Sequence, residues 1–354
     1  MHVLDGKRVL ITGGTGSLGK VLLRRLLGGG AGDPAKIIVL SRDEAKQHAI
    51  RVEYQRRSSP TDEVIYDNSS KKLQFRIGDV RDFHSVASAL READVVFNAA
   101  ALKQVPTCEY FPFEAVQTNV GGAENIVRAI RDLRLGVETV VGISTDKAVA
   151  PINVMGMTKS LQERILARAN LDAPQTRFVL VRYGNVLASR GSVIPLFHDQ
   201  IRNGGPVTIT DPRMTRFLLS LEEAVDIILV AMREARRGET YIPRAPSAKI
   251  VDVATSLIEN RPIKTVISGV RPGEKLHELL ISEEECHRAV CRNGYYAIGP
   301  ILPELQSHDR DSELLRRPYS SADDVMTPAE THELLVRRGL MIDHDLQLEG
   351  EFLR

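Results

Sequence analysis

The sequence predicts an α/β fold, a doubly wound parallel sheet followed by a smaller carboxyl-terminal α/β lobe. Three observations carry that prediction. The apolar run at 8–11 ends in a glycine-rich turn and an amphipathic helical pattern. Further apolar runs at 36–40, 73–77 and 94–97 alternate with helical stretches. A buried run at 140–143 then breaks into Ser144-Thr145-Asp146-Lys147 and resumes past Pro151 with helical spacing. Strands alternating with helices in this way form a parallel sheet covered on both faces, and such sheets take ligands outside the carboxyl ends of their strands. At 354 residues, 43% of them hydrophobic, the chain can bury one large core and a second smaller one. We expect 1–180 to form the first domain with about 205–240 returning to it, 181–285 the second lobe, and 286–354 a peripheral extension.

The first strand, RVLI at 8–11, runs into Thr12-Gly13-Gly14-Thr15-Gly16-Ser17-Leu18-Gly19, and apolar residues continue at Val21, Leu22 and Leu26. Glycines at 13, 16 and 19 permit a tight turn, backbone approach to a pyrophosphate and close helix packing, while the helix amino terminus presents N–H groups to the anion. The strand before and the helix after make this a Rossmann-type dinucleotide turn, with Gly13, Thr15, Gly16, Ser17, Leu18 and Gly19 as candidate cofactor contacts. The second strand ends in Ser41-Arg42-Asp43. A hydroxyl and a guanidinium fork suit a 2'-phosphate, which favours NADP over NAD, although Asp43 could still reach a ribose. Residues 54–72 are polar and read as a surface loop.

The third strand leads to Gly78-Asp79-Val80, where Asp79 and Val80 would flank an adenine. The fourth leads to Ala99, Ala100 and Ala101, small enough to let a cofactor pass, and then to Lys103, either a substrate contact or a surface lysine. Asn119 opens the next helical pattern and either holds backbone geometry or touches a ligand. In the stretch 140–164, Thr145, Asp146 and Lys147 leave a strand end, and Met155 and Lys159 lie one turn apart, roughly 6 Å along the axis, on a helix starting near Asn153. Taken alone, they would be a solvated pair and a surface lysine. At the carboxyl edge of a nucleotide-binding sheet they are candidates to surround one substrate.

Composition narrows the field. A formal net charge of +1 lacks the footprint of a nucleic-acid binder. Cys108, Cys286 and Cys291 have no CxxC spacing, so neither a disulfide framework nor a metal site is expected. No apolar run approaches the ~18 residues that would span a bilayer, and the amino terminus enters a strand without the pattern of a secretion signal. A soluble protein of the reducing cytoplasm is the expectation, with no membrane partner.

Four βα units, a glycine-rich first turn, a Ser-Thr pair ending a later strand and a lysine on the next helix resemble the extended short-chain dehydrogenase/reductases that act on sugar nucleotides. Within that branch, STDKAVAPINVMGMTK, LVRYGNVLASRGSVIPLF, ITDPRMTRFLLSLEEAVDIIL and RPGEKLHELL resemble the soluble UDP-N-acetylglucosamine 4,6-dehydratases of bacterial surface-sugar pathways. The particular likeness is to the capsule-type, 5-inverting members, over about residues 7–285. The resemblance implies a UDP-N-acetylglucosamine or related UDP-HexNAc substrate, bound NADP and a homo-oligomer, a dimer or hexamer.

It also implies roles. Oxidation at C4 makes the C5 proton acidic; a base removes it, an acid expels the C6 hydroxyl, and the hydride returns to C6. By resemblance Asp146 is the acid, Lys147 the base, Thr145 the ligand of the C4 oxygen and Lys159 the ligand of the nicotinamide ribose. Asn185, Val193, Pro195, Arg216, Arg271 and Glu274 would hold the uracil, diphosphate and ribose. A free lysine has a pKa of about 10.4, so Lys147 should be shifted down, by burial or by Lys159, and Asp146 should be shifted up by burial. One departure matters. The usual YxxxK is here Met155-Gly156-Met157-Thr158-Lys159, and a thioether cannot take the proton of the 4-hydroxyl. Lys159, Lys147 or a water held by Thr145 would replace the phenol, leaving Met155 as a packing residue. A 4-epimerase, a dehydratase returning hydride to C4 to give a 5,6-ene, and a silent NADP-sensing scaffold stay open as alternatives.

Overall fold

The computed structural model describes residues 3–56, 72–187, 192–306 and 314–342. Its strands are β1 (Arg8–Thr12), β2 (Lys36–Ser41), β3 (Leu73–Ile77), β4 (Val95–Asn98), β5 (Thr139–Thr145), β6 (Arg177–Tyr183), β7 (Val207–Ile209), β8 (Thr215–Phe217), β9 (Thr240–Ile242), β10 (Ser247–Lys249), β11 (Thr265–Ile267), β12 (Leu279–Ile281), β13 (Ala289–Arg292), β14 (Tyr295–Ile298) and β15 (Tyr319–Ser320). The helices are α1 (Ser17–Leu27), α2 (Glu44–Arg56), α3 (Phe83–Leu90), α4 (Val105–Tyr110), α5 (Pro112–Ala115), α6 (Gly122–Asp132), α7 (Val154–Asp172), α8 (Val193–Arg202), α9 (Leu221–Glu234), α10 (Ile250–Ile258), α11 (Glu283–Cys286) and α12 (Pro328–Arg337).

The main sheet has the order β13-β14-β9-β6-β5-β4-β1-β2-β3. From β3 to β6 this is the doubly wound parallel order, and it reverses between β1 and β4, where such sheets bind ligands. Central β5 and β6 are buried almost end to end, which is why TVVGIST and RFVLVRY show little polar alternation. One face is packed by α1 and α9 through residues such as Leu22, Leu26, Val225 and Ile228. The other is packed by α3, α6 and α7 through Val86, Ile126, Ile130 and Leu166. A third core, built on Ile194, Phe197, Ile209, Val253 and Leu257, belongs to the second lobe.

Three boundaries differ from the sequence reading. Residues 289–298 are no peripheral cover: β13 and β14 extend the main sheet antiparallel beyond β9, whereas β15 pairs with β12 and α12 packs against α10 on the second lobe. Of the stretch expected to return to the first domain, α9 does so, whereas β7 pairs with β11 in the second lobe. The helix before β5 starts earlier than Asn119, because α5 continues through a π turn at Val116–Gly121 into α6. Most of the predicted loop at 54–72 lies outside the described residues. Among the described residues no helix is long and apolar enough to cross a membrane, and no cluster of His, Cys, Asp and Glu could hold a metal ion.

Candidate active site

A cleft of about 720 Å³ runs along the carboxyl ends of β1, β2, β4, β5 and β6 and is faced by the loop carrying Arg271 and Glu274. It brings together Gly13, Thr15, Gly16, Ser17, Leu18, Gly19, Ser41, Arg42, Asp79, Val80, Ala99, Ala100, Ala101 and Lys103 at one side, and Thr145, Asp146, Lys147, Met155, Lys159, Asn185, Arg271 and Glu274 at the other.

The glycine turn is built for an approaching ligand. Gly13 has φ +67, and a Cβ there would stand 2.7 Å from Ala100 Cα, so the turn lies pressed on the end of β4. A Cβ on Gly19 would stand 2.5 Å from Gly14 Cα, so α1 lies pressed on the turn. At Gly16 a Cβ would meet nothing closer than Gly13 O at 3.4 Å, which leaves that backbone open to the cleft. Deeper in, Thr118 Oγ1 lines the cleft buried and without a hydrogen-bond partner. These residues fit a dinucleotide. Ser41 is not a free hydroxyl; it shares a 2.7 Å hydrogen bond with Thr15, while Arg42 lies 3.5 Å from Asp79.

The other side of the cleft depends on how α7 meets the end of β5. Thr145 Oγ1 accepts from the Lys147 N–H and caps the short 3-10 turn Asp146–Ala148. Asn153 Oδ1 accepts from Gly156 N–H at 2.8 Å and caps α7, and its Nδ2 donates to Gly273 O at 2.8 Å, tying the helix to the loop of the second lobe. A Cβ on Gly156 would sit 2.2 Å from Lys147 O, so only glycine lets α7 close on the turn. Asn119 takes the backbone-holding alternative: it accepts from Leu102 N–H and donates to Leu102 O and Thr158 Oγ1. Met155 is buried against Cys108 and Ala115, a packing residue at the cleft wall.

The two lysines are in different states. Lys159 donates to Ile143 O and, at 2.8 Å, to Gln162 Oε1; burial pulls its amine down to about 8 against the weak attraction of Glu163. Lys147 Nζ lies 3.1 Å from Asp146 Oδ1 and 3.4 Å from Glu278 Oε1. Burial pulls this amine down too, but the two carboxylates outweigh burial and the nearby Arg216, and it ends above its ordinary value. The expectation that Lys147 is shifted down is therefore corrected: two buried anions face it, and Lys159 takes the downward shift instead. Asp146 is fully buried, its Oδ1 accepting from Thr145 Oγ1 at 2.8 Å and its Oδ2 without a partner.

Three predicted substrate contacts lie elsewhere. Arg216 donates to the carbonyls of Thr215, Lys275 and Leu276, so its fork holds backbone and does not face the cleft. Val193 and Pro195 belong to α8, whose buried residues pack into the core of the second lobe; neither lines the cleft. Sequence reasoning missed Glu278, Gly156, Gln162 and Tyr183, whose buried phenol lines the cleft and is pushed up by burial.

A doubly wound sheet, a glycine turn at its switch point and a lysine on the helix after β5 define an extended short-chain dehydrogenase/reductase. The chain belongs to the polysaccharide biosynthesis protein family, matched over residues 9–300. It is 45% identical over 297 residues to the UDP-glucose 4-epimerase of Rickettsia prowazekii (strain Madrid E), covering 82% of each chain. The structure of Pen from Bacillus thuringiensis superposes with a TM-score of 0.83 at 33% identity, covering 96% of this chain and 99% of that one. DesIV, the dTDP-glucose 4,6-dehydratase from Streptomyces venezuelae, shares the fold with a TM-score of 0.63 at 22% identity, covering 76% of this chain and 86% of that one.

Proposed function

We propose that the chain is a UDP-N-acetylglucosamine 4,6-dehydratase using NADP, and the observation that carries this reading is the Asp146–Lys147 pair at the cleft. A 4-epimerase needs hydride transfer at C4 but has no use for a buried acid beside a half-buried amine. When bound, the nicotinamide would accept hydride from C4 and give it back to C6. The chain's own task is to move the protons. One transfer along the 3.1 Å Lys147–Asp146 contact turns ammonium and carboxylate into neutral amine and carboxylic acid. The amine is then the base for the C5 proton, and the acid, with Oδ2 otherwise unpartnered, is the donor to the departing C6 hydroxyl. On this reading Thr145 would hold the C4 oxygen and Lys159 the nicotinamide ribose, both lining the cleft. Arg271 offers a fork for the diphosphate, while Asn185 Oδ1 and Glu274 Oε2, buried without partners, are acceptors for substrate hydroxyls or amides.

The second reading, a UDP-sugar 4-epimerase, is favoured by the activity named for the Rickettsia relative. Both readings are tested by incubating the purified protein with UDP-N-acetylglucosamine deuterated at C4 and locating the label by NMR. Deuterium at C6 of a 4-keto-6-deoxy product supports the dehydratase. Deuterium kept at C4 of an inverted sugar overturns it in favour of the epimerase.

A further inference from the structure

We propose that Glu278 is a positioning residue for Lys147: a carboxylate brought from the second lobe that holds the amine in the cleft and sets its state of charge. The argument is geometric. Glu278 is buried, with Oε1 3.4 Å from Lys147 Nζ and 3.8 Å from Arg216 Nε and with Oε2 buried and unpartnered. Its backbone is fixed on both sides: Glu278 N–H donates to Ser321 Oγ at 2.9 Å, and Ser321 N–H donates to Glu278 O at 2.8 Å. Ser321 is fully buried and shares a hydrogen bond with Thr215. The backbone that carries Glu278 is thus fixed, and its buried carboxylate meets the amine from the second lobe.

The groups facing Lys147 can be named from each neighbouring element. Asp146 stands on its own turn, Glu278 and Lys275 on the segment before β12, Arg216 on β8, and Lys159 and Glu163 lie buried on α7 behind the turn. Lys159 bonds neutral acceptors, and Glu163 pairs with Arg182. Among the described residues two carboxylates touch the Lys147 amine, and of these Asp146 is already given to proton transfer. Glu278 is the one whose charge can tune the amine without itself reacting.

The inference rests on Lys147 being the proton carrier of the proposed reaction, but its test does not need turnover. Full-length protein is trace-labelled with acetic anhydride from pH 6 to 11, and the reactivity of Lys147 is followed by peptide mass spectrometry. In Glu278→Gln, which keeps shape and loses charge, the midpoint should fall by about one to three pH units. Glu278→Asp should restore most of the wild-type midpoint, and Glu284→Gln, an exposed control of equal charge change, should leave it unmoved. An unchanged midpoint in Glu278→Gln, or an equal fall in Glu284→Gln, overturns the inference. Failure of deuterium to reach C6 in the wild type would instead sink the dehydratase reading, whatever the labelling shows.

Discussion

Of the two lysines of the cleft, Lys159 is buried and Lys147 keeps 21% of its side chain exposed, and the difference between their surroundings shows what desolvation alone does not decide. Lys159 sits on the floor formed by α7 and β5, where a carbonyl and an amide oxygen accept its protons. Lys147 sits at the seam between the lobes, where carboxylates close on it from both sides. Neutral acceptors satisfy an ammonium's hydrogen bonds without repaying its lost hydration, so Lys159 drifts toward the neutral amine. Opposite charges repay it, so Lys147 keeps its proton until a neighbour takes it. On the proposed reading, the floor supplies a lysine for contact and the seam supplies one for proton transfer.

The largest effect should come from breaking the seam. Lys147→Met and Asp146→Asn should each lower turnover of UDP-N-acetylglucosamine by about 10²–10⁴-fold in steady-state rates, and Lys147→Met should also lower the calorimetric midpoint, because it leaves the buried carboxylates of Asp146 and Glu278 without their cation. Retention of most activity in either variant would remove the pair from the chemistry.

Beneath the floor lies a second ionic cluster, in which Arg182 is paired with both Glu163 and Glu285 and Ser144 donates to Glu163. Arg182→Met leaves two buried carboxylates without their cation and should cost about 3–5 kcal/mol in urea unfolding near neutral pH. Burial pushes Glu285 up, yet Arg182 outweighs it and holds the carboxyl at about 2. Stability from a depressed carboxyl is present above its unfolded value of 4.5 and lost as pH falls toward about 2, so the gap between wild type and variant should narrow over that range. A gap independent of pH would mean that packing, not charge, is lost.

Lys159 tests the comparison from the opposite direction. Its folded pKa of about 8 lies below the ordinary 10.5, so between those values the unfolded chain holds a proton that the native one lacks. Stability should therefore rise with pH through that window, relative to Lys159→Met, by on the order of 3 kcal/mol. Parallel unfolding curves at pH 7.5 and pH 10.5 would show that Lys159 is not desolvated as the geometry requires. Smaller still is Gly156→Ala. The added Cβ would stand 2.2 Å from the backbone oxygen of Lys147, so the turn and α7 must part by roughly 1 Å, at about 1–3 kcal/mol, and turnover should fall more than affinity for the substrate.

What the sequence made legible, and what it hid, follows the same division. The sheet strands through β6, the glycine turn and the start of α7 near Asn153 are local features: apolar runs, a turn chemistry and helical spacing, each read within a few residues. Asp146 and Lys147 could be placed at the cleft because a strand end delivers them. Glu278 could not, since it reaches Lys147 only through the register of β12 with β15 and the clasp of Ser321. Arg216 misled for the converse reason. A guanidinium in a motif looks like a phosphate ligand until the fold shows three carbonyls around it. The hairpin β13–β14 did carry a signal that went unread: Asn293-Gly294 between two strand-like runs, both with positive φ, is the two-residue turn such hairpins prefer.

The smallest expected effect supplies the reference for the others. At the far end of the cleft Arg42 faces Asp79 at 3.5 Å, but Arg42 is 54% exposed, so water screens what burial amplifies around Lys147. An exposed pair of this kind contributes roughly 0–1 kcal/mol, and Arg42→Ala should move the unfolding midpoint hardly at all. Its effect should fall on the cofactor. With the guanidinium removed, a 2'-phosphate loses a charge-assisted contact and a ribose hydroxyl does not, so the ratio of affinities for NADP and NAD should drop by about tenfold in a titration of the two nucleotides. If the ratio were unchanged, Arg42 would be only Asp79's partner, and any preference for a 2'-phosphate would have to be sought in Ser41 or Lys46, which line the same end of the cleft.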